Sequence, residues 1–366
     1  MPLKSTAGNH GEVAKGRGSP INPEGRFEIH NREAVDDGWF QPPPEDEDRR
    51  PKTVIAIEHA KSVISRHDSP DVGFAQSINP YRGCAHGCIW CFARPSHAYL
   101  GLSPGIDFET RLSAKVNAAE KLQEEISKPG YECQPLTIAV NTDAYQPIEK
   151  KYRITRSILE ICHETNHPVS LITKNALIER DLDLLAPMAA KRLVNVTISI
   201  TTLDQNITRH MEPRTSAPMR RLLAVKRLSE AGIPVNVNVA PVIPFLTDHE
   251  LENIMEAAAQ HGARSAFYNL VRLPWEVKDI FRAWLEAHFP LKAAHVMSRI
   301  HEMREGRDND PNFGTRMTGT GLFAELLRQR YEKALQRFEL DKREDDFELD
   351  CTIFTRPERN GQQSLF

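Results

Sequence analysis

Asn79-Pro80-Tyr81-Arg82-Gly83-Cys84-Ala85-His86-Gly87-Cys88-Ile89-Trp90-Cys91-Phe92 is the segment that decides the fold. It follows the first strand-like run, Phe74–Asn79, and so falls on a loop at that strand's carboxyl end. In α/β barrels that rim is where active sites are built. The cysteines are spaced Cys-x3-Cys-x2-Cys, with an aromatic residue just before the third. Of six cysteines in 366 residues, three lie within eight positions, while Cys133, Cys162 and Cys351 are scattered. Gly83 and Gly87 let the backbone turn tightly between the cysteines.

A [4Fe–4S] cluster ordinarily takes four thiolates. Cys84, Cys88 and Cys91 would hold three irons and leave the fourth open. An open iron can take the amino and carboxylate groups of S-adenosylmethionine. Reduction of the sulfonium then releases a 5′-deoxyadenosyl radical, which abstracts hydrogen from an unactivated C–H. Trp90 is placed to pack near the cluster or the adenine. Zinc is the competing reading, with His86 or His97 completing a site, but zinc sites use paired motifs and no second pair exists here. A metal-free structural trio is disfavoured because three thiols in a glycine-rich loop pack little.

Outward from this loop, strand-like runs recur at Leu136–Val140, Val169–Thr173, Val194–Ile200, Val235–Val242 and Ala266–Val271. Helix-like segments are expected near 112–127, 152–165, 180–190, 218–231 and 248–261. Val- and Ile-rich strands alternating with helical patterns indicate βαβ units on a parallel sheet. With right-handed crossovers, six strands predict an α/β fold: a partial (β/α)6 barrel of the TIM type. Gly232 and Pro234 punctuate the end of the fourth helix. Residues 1–50 read as a flexible, disordered tail, with Gly38-Trp39-Phe40 the one segment able to dock. The core domain is expected over 51–274, a helical extension over 275–340, and an extended tail over 341–366.

Composition narrows the setting: 40% of residues are hydrophobic, and 47 basic against 50 acidic residues leave a charge of −3. Nucleic-acid contact would therefore need a local patch. Arg214, Arg220, Arg221, Lys226 and Arg227, around the fourth helix, are either such a phosphate-tracking rim or a solvated face. No apolar run reaches the roughly 18–20 residues needed to span a bilayer, so no membrane association is expected. The polar amino terminus lacks a signal-like apolar stretch, so the expected compartment is cytoplasmic. Reducing conditions there favour a metal or catalytic role for clustered cysteines.

Over roughly residues 70–275 the chain resembles the radical SAM superfamily. It is similar to the branch that includes spore photoproduct lyase and related DNA repair photolyase-like proteins. The resemblance rests on Asn79-Pro-Tyr-Arg-Gly-Cys84, Thr142-Asp-Ala-Tyr-Gln-Pro-Ile-Glu149, Ile172-Thr-Lys174, Arg180-Asp181, Glu212-Pro213 and Ala240-Pro-Val-Ile-Pro244. It implies that Cys84, Cys88 and Cys91 ligate the cluster and that Thr142 and Asp143 lie beside the methionine end of the cofactor. It also implies that Lys174 pairs with the cofactor carboxylate, that Ser199 or Thr201 faces the ribose, and that Glu212 orients loops near the substrate mouth. A reducing electron donor such as flavodoxin or ferredoxin is implied as well.

One position departs from the family. In spore photoproduct lyase a cysteine just before the second-strand Ser/Thr-Asp position returns a hydrogen atom to the product radical, and here Val140 or Asn141 stands there. Cys351, Tyr99 and Tyr145 are the alternative hydrogen donors. Cys162 sits at helical spacing with Ile158 and Ile161 and reads as core, and Cys133 reads as loop.

The chain ends Gln362-Gln-Ser-Leu365-Phe366, which looks like the bacterial sliding-clamp binding pentapeptide. Leu365 and Phe366 would bury in a partner's pocket and Gln362 would make the polar contact. Three readings of function follow. The first is a radical enzyme acting on DNA lesions. The second is one modifying a peptide or small metabolite. The third is a non-catalytic iron–sulfur or clamp-accessory protein.

Overall fold

Val- and Ile-rich segments with side chains alternating between two environments build the main sheet. The computed structural model describes residues 16–28, 51–341 and 348–358. Its strands are β1 (Val54–Glu58), β2 (Ile64–Arg66), β3 (Gln76–Ile78), β4 (Tyr81–Arg82), β5 (Arg111–Lys115), β6 (Leu136–Ile138), β7 (Val169–Thr173), β8 (Val194–Ser199), β9 (Val235–Val242) and β10 (Ser265–Leu270). The helices are α1 (Ile106–Thr110), α2 (Ala118–Ile126), α3 (Glu149–Tyr152), α4 (Ile154–Glu164), α5 (Leu182–Ala190), α6 (Gln205–Met211), α7 (Pro218–Glu230), α8 (Leu251–Gln260), α9 (Val277–His288), α10 (Pro290–Glu302) and α11 (Gly321–Arg337).

The main sheet runs β10-β9-β8-β7-β6-β3-β2. Its six strands from β3 to β10 are parallel, as a partial (β/α)6 barrel requires, and β2 is antiparallel at the edge. One face carries Ile78, Ile138, Leu171, Val196 and Val237, all fully buried in the core shared with the helices. Each such side chain contributes about 1.5–3 kcal/mol relative to exposure. The register places Thr137, Ser170 and Asn195 side by side on the other face, with Ser199 beside Asn238 further along. A polar inner face is thus built into a sheet whose outer face is apolar.

One expectation is corrected and two are refined. Residues 112–115, expected to begin a helix, lie in β5, which pairs with β1 and β4 in a second, three-stranded sheet. Leu112 and Ala114 are fully buried there, and Asn117 ends the strand by bonding both the N–H and the carbonyl of Ala60 (2.8 and 3.0 Å). The helical extension is broken over 303–320, where Arg316 pairs with Asp71 and the Leu270 N–H donates to Met317 O (2.9 Å). That segment links β10 to the loop preceding β3. Residues 16–28, expected within a flexible tail, pack against the loop around the cysteines, with Arg17 and Ser19 buried. Polar residues hold this segment through hydrogen bonds, so a scarcity of apolar residues did not predict its state. The rest of the expected amino-terminal tail and Gln362, Leu365 and Phe366 lie outside the described residues.

Candidate active site

The cysteine loop leaves the carboxyl end of β3, passes through β4, and folds under several backbone anchors. The Cys84 N–H donates to Phe108 O (2.9 Å) and the Ile89 N–H to Met211 O (3.1 Å). Gln146 accepts from the Ala85 N–H (2.8 Å) and donates to Gly83 O (3.1 Å). Gly83 and Gly87 have φ of 69° and 72°. A Cβ on Gly83 would sit 2.7 Å from Leu112 and 2.9 Å from Phe108 O, so the close turn admits no side chain there. Arg94, fully buried, saturates its five donors. Its acceptors are Cys88 O, Pro104 O, Gly105 O, Gly87 O and Glu109 (2.6 Å).

The loops after β6 and β7 converge on the same place. Asp143 accepts from the Tyr145 N–H (2.8 Å), the Thr173 hydroxyl (2.7 Å) and the Lys174 N–H (2.8 Å). His86 Nδ1 lies 3.4 Å from the same carboxylate, and Asn175 Nδ2 lies 3.2 Å from His86 Nε2. Burial opposes a charged imidazole, but Asp143 and Cys84 outweigh it and push His86 up to about 9. Burial likewise disfavours ionised Asp143, yet His86 and the hydrogen bonds hold it well below the usual carboxylate range. Asp143 therefore stitches the cysteine loop to β7. Thr142 is buried, its hydroxyl 3.4 Å from Tyr81 O. Lys174 Nζ lies 4.7 Å from the Trp90 ring centroid and acts electrostatically on Cys88, Cys91 and Glu212.

A buried pair braces the rim beyond β8. Glu212 pairs with Arg221, and both are about 1% exposed. Glu212 also accepts from the Thr201 hydroxyl (2.8 Å), while Arg221 donates to Ser199 O (2.9 Å) and Ser216 O (2.8 Å). Burial alone would raise Glu212, but Arg221 and then Lys174 lower it overall. Ser199 itself is buried at the end of β8.

The alternative hydrogen donors occupy three different places. Cys351 sits at the opposite end of the sheet. The Asp350 N–H donates to Arg192 O (2.9 Å) and the Thr355 N–H to Thr165 O (2.8 Å), ahead of β8 and β7. There Cys351 neighbours Cys133, and Cys162 is fully buried. Tyr145 is fully buried beside Asp181, with Arg180 6.0 Å from its ring. Tyr99 is 73% exposed on the helical turn after Cys91, its ring tilted against that of Phe27. The basic cluster is largely neutralised internally: Arg220 and Arg227 share Glu179, Lys226 lies 3.8 Å from Glu230, and Arg221 is taken by Glu212. Sequence reasoning missed Arg94 and Glu109, and it quoted Gln146 within the segment Thr142–Glu149 without giving it a role. Arg94, three residues after Cys91, was the signal available.

The family model described as the radical SAM superfamily matches residues 78–258. An uncharacterized protein of Mycobacterium tuberculosis strain H37Rv is 32% identical over 270 residues, 73% of this chain and 75% of the relative. The chain belongs to the radical SAM superfamily. It is thus an enzyme whose cofactors are a [4Fe–4S] cluster and S-adenosylmethionine. An uncharacterized protein of Methanocaldococcus jannaschii is 27% identical over 237 residues, 65% of this chain and 84% of that protein. The structure of spore photoproduct lyase complexed with dinucleoside spore photoproduct superposes with a TM-score of 0.57 at 16% identity, over 78% of this chain and 79% of that one. At that identity the likeness is one of fold.

The residues present fit a radical SAM cluster. Burial pushes the Cys88 and Cys91 thiols up. Thiolates in so buried a place are favoured by a coordinated metal. Each of the two is coupled electrostatically to Cys84. Trp90 Nε1 is buried without an acceptor beside this space. Among the described residues no three His, Cys, Asp or Glu side chains converge as ligands of one metal ion would. A cluster sets each thiolate on its own iron, so three cysteines need only surround it.

Proposed function

We propose that Cys84, Cys88 and Cys91 bind three irons of the cluster, and that the chain uses it to act on a nucleic-acid base lesion. When bound, the cofactor pair supplies one electron to the sulfonium of S-adenosylmethionine and a 5′-deoxyadenosyl radical that takes hydrogen from substrate. The chain's own residues position that chemistry. Lys174, held over Trp90 at 4.7 Å and engaged in no ion pair among the described residues, offers its ammonium to the cofactor carboxylate. Thr142 stands at the methionine end, and Ser199 with Thr201 lies toward the ribose. Asp143 and Glu212 act indirectly, by fixing the loops that carry these groups. A small reducing protein such as flavodoxin or ferredoxin donates the electron, and the setting is cytoplasmic. No helix among the described residues is long and apolar enough to cross a membrane.

The observation that carries this reading is the meeting of the cysteine loop with Lys174 and Trp90 at the carboxyl rim of a partial barrel. DNA as substrate draws support from the photolyase-like segments and from Gln362, Leu365 and Phe366 as a sliding-clamp tether. A second reading, modification of a peptide or small metabolite, is favoured by one finding. Among the described residues Cys133, Cys162 and Cys351 all lie away from the rim, so none of these thiols is placed to return a hydrogen atom.

The test is anaerobic reconstitution with iron and sulfide, reduction with dithionite, and quantification of 5′-deoxyadenosine beside a Cys91→Ala control. Formation by the wild type alone supports the cluster chemistry. Consumption of ultraviolet-irradiated oligonucleotide in the same reaction supports the DNA assignment. Formation of 5′-deoxyadenosine without any DNA turnover or binding would reject that assignment in favour of the second reading.

A further inference from the structure

The cysteine loop is held by a buried charge pair that the reaction itself does not call for. Arg94 and Glu109 are both fully buried and 2.6 Å apart. Arg94 bonds the carbonyls of Gly87 and Cys88 (3.2 and 2.8 Å), the peptides that set the direction of the Cys88 side chain. Glu109 is completed from far away in sequence. It accepts from the Gly18 N–H (2.9 Å) and the Ser19 N–H (2.8 Å). Arg17 anchors this strap by donating to Glu109 O (3.1 Å), Pro51 O (2.6 Å) and Thr53 Oγ1 (2.9 Å). Gly18 lies so close that a Cβ there would fall 1.8 Å from Gly87 O and 3.0 Å from Ile89 Cγ2.

We infer that Arg94, Glu109 and the strap at Arg17–Ser19 form a positioning unit for the cluster, fixing its loop and setting the charge that it feels. The inference rests on the assignment of the cluster to Cys84, Cys88 and Cys91. Arg94 brings a permanent cation to the ligand loop, and it acts electrostatically on Cys91. Glu109 balances that cation. In a buried place such charges are weakly screened and act over several ångströms. Removing Glu109 leaves a bare cation, which favours an added electron on the cluster. Removing Arg94 leaves a bare anion, which disfavours it. The strap supplies two backbone donors that hold the Glu109 carboxylate in place, and it covers the loop at Gly87.

The experiment uses the full chain, reconstituted anaerobically with iron and sulfide, with three readouts: iron per chain, the midpoint potential from a redox titration followed by electron paramagnetic resonance, and the rate of iron loss to a ferrous chelator. Glu109→Gln is expected to move the potential positive and Arg94→Gln to move it negative. Gly18→Val, which displaces the strap without touching either charge, is expected to speed iron loss at least tenfold. General loosening of the loop would not give shifts of opposite sign. Shifts in the same direction, or no shift, would overturn the electrostatic part, and wild-type iron loss in Gly18→Val would overturn the strap. Gly18→Val carries the test if either charge variant fails to fold. A wild-type chain that takes up no more iron than Cys91→Ala would overturn the cluster assignment, and this inference with it.

Discussion

Replacing Glu212 by glutamine changes one charge in the interior and almost no volume. The carboxylate is about 1% exposed and its partner Arg221 equally so. Breaking a buried pair from one side costs about 3–5 kcal/mol, because the remaining charge stays buried without compensation. Arg221 keeps three other acceptors, Ser199 O, Ser216 O and the Thr215 hydroxyl, which places the expected loss near the lower end, about 3 kcal/mol. That is a large fraction of a typical domain stability of about 5–15 kcal/mol. The control is Glu179→Gln, whose partners Arg220 and Arg227 are 42% and 55% exposed. Solvent screening limits that pair to about 1 kcal/mol or less. Urea denaturation of both variants at pH 7 measures the contrast. The pH dependence gives a second check. The Glu212 value in the fold is lowered, so its contribution is present above the unfolded carboxylate value and is lost as pH falls through the folded one. The gap between wild type and Glu212→Gln should therefore narrow in acid. If Glu212→Gln costs no more than Glu179→Gln, the buried pair is not what braces the rim beyond β8.

Lys174→Met should weaken S-adenosylmethionine binding by at least tenfold while leaving iron content unchanged, as equilibrium binding to the reconstituted protein would show; equal affinity would remove Lys174 from the cofactor site. Cys351→Ser should give the same product as the wild type, at the same ratio to 5′-deoxyadenosine, because this thiol lies at the amino end of the sheet; 5′-deoxyadenosine formed as before with a changed product would make Cys351 the hydrogen donor. His167 is fully buried, with Nδ1 donating to Pro168 O (3.1 Å) and Nε2 accepting from Tyr131 (2.7 Å). Burial lowers it to about 4, so the unfolded state binds a proton first as pH falls from about 6.5, and stability drops between about 6.5 and 4 by up to about 3 kcal/mol. His167→Gln should flatten that part of the stability–pH curve, and an unchanged slope would exclude His167 as its source.

Much of the barrel was legible because a parallel strand buried on one face writes its period into Val and Ile residues. Val235–Val242 was read with the bounds that the structure shows. β5 was misread because five residues with Leu112 and Ala114 inside fit a helix start as well as a strand, and only pairing with β1 decides between them. The broken segment 303–320 escaped notice for the same reason, since its order comes from Asp71 and Leu270, far away in sequence. Among the proposed site residues, the three cysteines were visible through their spacing and Lys174 through the resemblance to the family. Asp143, expected beside the cofactor, accepts from three backbone and side-chain donors and faces His86, partners that no local pattern revealed.

By itself the sequence pointed to the chemistry, through three cysteines at a cluster-like spacing on the loop after the first parallel strand. Ligand spacing and strand periodicity are short-range properties, carried by neighbouring residues. Only the tertiary structure decided which charges are buried in pairs and which end of the sheet each stray thiol occupies. It also decided that Gly18 and Ser19 close over a carboxylate about 90 residues away. Those outcomes depend on chain closure across the fold, where a hydrogen bond forms only after distant segments have packed, and no local pattern records them.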